Sequence, residues 1–207
     1  MGTNGKIFAE ELLKKKSINQ KECIIETEVS NKASETIFKI KGTSRVILRG
    51  DSKNTNSIVT AAHEIGHVIN NKENIKKYLR FKYTSYILSL IMILSLILVI
   101  IDKFYHDIPL GVLLIFFFFS FSLSFYSGYV KVVDEYGANK EALKLLYKYS
   151  DAIFLNHNDP RNWKNIRDEA KSQLKRGIKR YKESNFIITI FSLVPVLTYV
   201  IIHIFSL

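Results

Sequence analysis

Only one cysteine, Cys23, stands in this chain of 207 residues, so no internal disulfide can staple it and its thiol suits a reducing compartment. A lone cysteine of this kind is more often a small core residue than a nucleophile. No cleavable signal peptide is expected, because the first long apolar run follows some eighty polar and mixed residues. Internal repeats and low-complexity linkers are also missing. The most informative absence is of charge: the stretches 83–101, 108–130 and 186–207 contain no Asp, Glu, Lys or Arg. Each is long enough to cross a hydrocarbon layer of about 30 Å at about 1.5 Å per helical residue. Soluble cores rarely need several such runs in so small a chain, so three transmembrane helices are expected.

The charges that are present lie between those runs. Of 30 Lys and Arg residues, 16 fall in residues 1–82, one in 102–107 and 13 in 131–185. The positive-inside rule therefore places 1–82 and 131–185 in the cytoplasm and the short connector 102–107 outside. A formal charge of +11 needs no nucleic acid to explain it, and no aromatic-interleaved basic motif accompanies it. The cluster Lys175, Arg176, Lys179, Arg180 and Lys182 reads instead as contacting anionic lipid headgroups.

Along the chain, Ile7, Phe8, Leu12 and Leu13 mark a short amphipathic helix within the first fifteen residues. Three short runs rich in Ile, Val and Thr follow at 23–29, 36–40 and 45–48, with a turn at Lys41, Gly42 and Thr43, and predict a small antiparallel sheet. The polar stretch 51–56 supplies N-cap candidates for a helix over 57–70. The second span carries no helix breaker at its end, so its helix is expected to continue into the cytoplasm over 131–149. Asn156, His157, Asn158, Asp159 and Pro160 form a turn cluster. Ile166, Ala170, Leu174, Ile178 and Tyr181 then mark an amphipathic helix suited to the membrane surface.

The chemistry concentrates in His63-Glu64-Ile65-Gly66-His67. Histidines four apart on a helix project from one face and can reach a single ion, and the spacing suits zinc. Glu64 follows the first histidine, where it can act on a metal-bound water rather than on the metal. Two histidines leave zinc short of a protein ligand, and the extension HExxHxxGxxH is missing because Asn70 and Glu73 occupy the positions of its Gly and His. The favoured third ligand is Glu135, with Asp134 as its rival. Gly137, Ala138 and Ala142 are small enough to let this helix approach the HEIGH helix closely. Asn139, one turn on from Glu135, is positioned to accept a hydrogen bond from the far nitrogen of a ligating histidine. Two crossings separate His67 from Glu135, which returns both to the same side of the membrane.

The run from Gly5 to Leu146 resembles the bacterial neutral zinc metallopeptidases of the YugP type, and more remotely the HtpX membrane peptidases. Ala61 to His67 match the helix motif A-A-H-E-x-G-H, and Glu135, Tyr136, Ala138, Asn139 and Ala142 match E-F-x-A-S-x-x-A after two membrane spans. The resemblance implies that His63, His67 and Glu135 hold zinc and that Glu64 is the catalytic base. Family members begin with a further membrane helix that is not found ahead of Gly5, and Asn139 stands where the nearer family has Ser and the wider group often has Asp. The fold expected is an α+β membrane protein with a zincin-like helical core, a small antiparallel sheet and three transmembrane helices, multi-pass in the cell membrane.

The activity implied is peptide-bond hydrolysis at the cytoplasmic membrane surface, with a peptide or protein substrate and membrane lipids as partners. Strand 45–48 is a candidate for pairing with an extended peptide by edge addition. His157 and Tyr136 are candidate oxyanion stabilisers, whereas His106 and His203 are expected away from the metal. An intramembrane protease is disfavoured because polar residues at 54–56 and 70–72 bracket the motif. The alternative class is a non-catalytic membrane adaptor stabilised by zinc.

Overall fold

The computed structural model describes residues 2–30, 32–50, 52–105 and 108–205. They form two compact units, one of Met1–Ile75 with Val133–Ile178, the other of Lys76–Val132 with Lys179–Leu207. His106, expected in the outer connector, lies outside the described residues.

The first unit opens with helix α1 (Gly5–Lys15), whose first turn is capped by the Asn4 side chain accepting from the Ile7 amide at 2.8 Å. Its apolar stripe is buried at Phe8, Ala9, Leu12 and Leu13, as the 3.6-residue spacing requires. Strands β1 (Cys23–Glu28), β2 (Glu35–Ile37) and β3 (Ser44–Arg49) follow, and then α2 (Thr55–Glu73), capped by Asn54 at the Ser57 amide. Gly42, at φ +103°, makes the predicted turn before β3.

The sheet is mixed, not antiparallel as the sequence suggests. Its order is β1-β3-β2, with β3 parallel to β1 and antiparallel to β2. The physical reason is burial. Val46, Ile47 and Leu48 of β3 are all buried, whereas β2 is largely exposed and β1 ends in exposed residues. The most apolar strand takes the centre, where both of its edges are paired. Strand 45–48 therefore has no edge to offer a peptide; β2 is an outer strand.

Against the sheet and α1 pack α2 and the parts of two longer helices, α4 (Leu110–Asn156) and α5 (Trp163–Phe191), that belong to this unit. Their apolar positions join one core with Phe8, Ile58 and Ile65. Ile166, Ala170 and Leu174 are buried in it, so the amphipathic face of α5 meets protein and not the membrane surface as expected. The turn cluster after α4 includes Asn158 in the left-handed region at φ +51°. Beyond it Asp159 accepts from the Thr3 amide at 2.6 Å, and Arg161 bonds the carbonyls of Thr3 and Lys53 at 2.6 and 2.8 Å, which closes the chain's start against this turn.

The second unit comprises most of α3 (Ile75–Tyr105), the apolar part of α4, the end of α5, and α6 (Val194–Phe205). Three helical segments here are long and apolar enough to cross a membrane, and the apolar windows are mostly exposed on the protein. That much outward apolar surface fits a lipid environment. α3 continues to Tyr105, so residues 102–105 of the expected connector are helical. The third span is interrupted at Ser192 and Leu193, between α5 and α6, where Pro195 has no N–H for the Phe191 carbonyl. Asp102, buried, pairs with His203 at 3.1 Å.

Candidate metal centre

α2 carries His63 and His67 one turn apart, their rings edge to face with centroids 4.7 Å apart. α4 brings Glu135 to them: its Oε2 lies 3.3 Å from His63 Nε2 and 3.5 Å from His67 Nε2. The three donor atoms lie within 4.8 Å of one another, so the group could hold a metal ion. Glu135 is buried and both histidines are nearly so.

Two glycines make this approach possible. A Cβ on Gly66 would stand 2.4 Å from the Ala138 carbonyl oxygen of α4, and one on Gly137 would stand 2.5 Å from Asn70 Oδ1 of α2. Ala138 and Ala142 are fully buried at the same contact. The two glycines differ in what opposes them. Backbone cannot swing aside, so Gly66→Ala is expected to cost about 1–3 kcal/mol and to pull the ligands apart. The Asn70 side chain can rotate away, so Gly137→Ala should be milder; thermal melting of both variants checks the order.

Asp134, the rival to Glu135, does not join the three converging donors but lies against the far nitrogen of His67. Its Oδ2 lies 3.2 Å from His67 Nδ1, and its Oδ1 accepts from Asn70 Nδ2 at 2.9 Å. An acceptor at Nδ1 turns Nε2 toward the convergence point. Burial disfavours the charged forms, but the Asp134 and Glu135 carboxylates outweigh it and hold the His67 pKa well above the ordinary imidazole value. Conversely, the two imidazoles outweigh burial at Glu135 and hold its carboxyl below the usual range. Asp134→Asn is expected to weaken metal binding by about 10- to 100-fold, measured by competition with a chromophoric chelator.

Glu64 is buried beside this group without joining the three converging atoms. The Thr36 hydroxyl of β2 lies 2.7 Å from its Oε2 and 3.0 Å from its carbonyl oxygen, which holds the carboxylate in place. Nothing in the local sequence marks Thr36, which is 28 residues away and reaches Glu64 only through the lie of β2 across α2.

Asn139 departs from expectation. Its Nδ2 donates to the Leu174 carbonyl at 3.1 Å, tying α4 to α5, while its buried Oδ1 and the buried His63 Nδ1 each lack a hydrogen-bond partner among the described residues. The outer hydrogen bond assigned to Asn139 is supplied at His67 by Asp134. His157 is not brought to the centre: it follows α4, and the 22 residues from Glu135 to it span about 33 Å along that helix. Tyr136 adjoins Glu135 but is half exposed. His203 pairs with Asp102 in the other unit.

Comparison with protein-family models, curated proteins and solved structures gives no match to this chain.

Proposed function

We propose that the chain is a membrane-anchored, zinc-dependent endopeptidase. The observation that carries this reading is the convergence of His63, His67 and Glu135 from two helices, with the buried Glu64 carboxylate beside them. The donor set suits zinc, which favours imidazole and carboxylate in tetrahedral sites. Ligands about 2.0–2.1 Å from a tetrahedral ion stand about 3.4 Å apart, and the two separations to Glu135 are 3.3 and 3.5 Å.

Held by these three residues, zinc would lower the pKa of a coordinated water toward about 7 and polarise the scissile carbonyl. Glu64 accepts the proton as the water oxygen attacks the carbonyl carbon, then delivers it to the amine nitrogen as the carbon–nitrogen bond breaks. Thr36 keeps the Glu64 carboxylate oriented for both transfers. An extended peptide would pair with the outer edge of β2, the strand that carries Thr36, rather than with the central β3. The distribution of Lys and Arg supports a cytoplasmic position for the catalytic segments.

The test uses the full chain in detergent. One zinc per chain by elemental analysis, with hydrolysis of a quenched protein substrate that is lost to a chelator and restored by zinc, is the expected result. A stoichiometric ion without hydrolysis of any peptide would support the adaptor role, and absence of bound metal would remove both.

A further inference from the structure

Within the membrane-spanning unit α4 and α5 run antiparallel, since Gly128 accepts from Asn185 at 2.8 Å while the Lys131 ammonium lies 5.0 Å from the Tyr181 ring centroid. Between them lies an open apolar groove of about 570 Å³, running from Val132 and Lys182 at one end to Phe121 and Leu193 at the other. Its polar lining is largely committed to backbone: Asn185 bonds Gly128, and Thr189 bonds the Asn185 carbonyl at 2.9 Å.

We propose that this groove binds one acyl chain of an anionic phospholipid, with the lipid phosphate at Lys182 and Lys131. Two independent features select that occupant. The first is length. Eleven residues separate Phe121 from Val132 and Lys182 from Leu193, so the groove is about 16 Å long, roughly half of a 30 Å hydrocarbon layer. A lipid tail fills one leaflet, whereas a second transmembrane helix needs the full thickness. The second is charge. Lys182 lines one end, Lys131, next in the chain to the lining residue Val132, lies over the ring of Tyr181, and Lys179 and Arg180 precede Lys182 in the chain, while the other end is apolar. An anionic headgroup on a single tail matches that polarity, and each nearby cation adds attraction to an anionic surface.

Native mass spectrometry of the full chain, released from detergent with equal phosphatidylglycerol or phosphatidylcholine, tests this. One phosphatidylglycerol per chain is expected, favoured at least tenfold over phosphatidylcholine. Lys182→Glu should abolish the preference, and Thr189→Trp, which fills the groove, should remove both adducts; Thr189→Phe serves if the larger ring prevents folding. Inorganic phosphate should neither bind nor compete. Equal retention of the two lipids, an unchanged preference in Lys182→Glu, or competition by inorganic phosphate would overturn the proposal. So would a dimer in the wild type that Thr189→Trp converts to monomer, which would make the groove a contact between copies.

Discussion

Glu64→Gln is expected to keep one zinc per chain and to lose about 10²- to 10⁴-fold in turnover, the usual contribution of a positioned general base. The amide is isosteric with the carboxylate, and Glu64 is not among the three converging donors, so the metal group stays intact. The Thr36 hydroxyl can still donate to the amide oxygen in the place where it now meets Oε2 at 2.7 Å. What is lost is the capacity to take a proton. Elemental analysis beside a hydrolysis assay separates the two roles of this helix. If turnover survives in Glu64→Gln, the proposed base is wrong; if an adaptor function and the zinc both survive with no turnover in either protein, the peptidase reading fails.

Glu135→Ala should abolish stoichiometric zinc, with a loss in affinity exceeding the roughly 100-fold of an outer hydrogen-bond partner. Removing a buried carboxylate that faces both imidazoles leaves two ligands where a catalytic site needs three. The metal-free wild type should also show how protons compete. Its raised His67 pKa contributes stability that is fully present below about 6.5 and lost as pH rises through the folded value. The lowered Glu135 pKa contributes stability present above about 4.5 and lost as pH falls through its folded value. The ion pair is thus intact between the two folded values, and the ion can bind only by displacing the His67 proton. Zinc affinity should accordingly rise about tenfold per pH unit from 6 to 8, checked by titration at fixed total metal. A flat profile would mean that His67 is already neutral in the metal-free protein.

How much of this could be read from the chain depends on distance along it. The pair His63 and His67 is a local, helical signal, and the helix that carries it forms where the spacing predicts. The continuation of α4 beyond the second apolar run was equally legible, since no breaker interrupts it. Strand order was not. β1 and β3 are similar runs of β-branched residues, and only the competition for the buried centre of the sheet, won by Val46, Ile47 and Leu48, decides that β3 enters between its predecessors. The choice between Asp134 and Asn139 as support for a histidine was likewise invisible. It depends on the rotation of α4 about its axis, set where Gly66 meets Ala138. The interruption of the third span could have been found at Pro195, whose missing donor is a local property.

The donors of the candidate centre come from segments separated by 67 residues, and those residues include the first two apolar runs. A nascent chain that has passed only His67 offers an ion two imidazoles and no carboxylate partner. Both of those apolar runs must be synthesised before Glu135 can close the set. Loading of this group with a metal ion would therefore be a late event in the biogenesis of this protein, and a copy that stops short of Glu135 would carry no assembled centre.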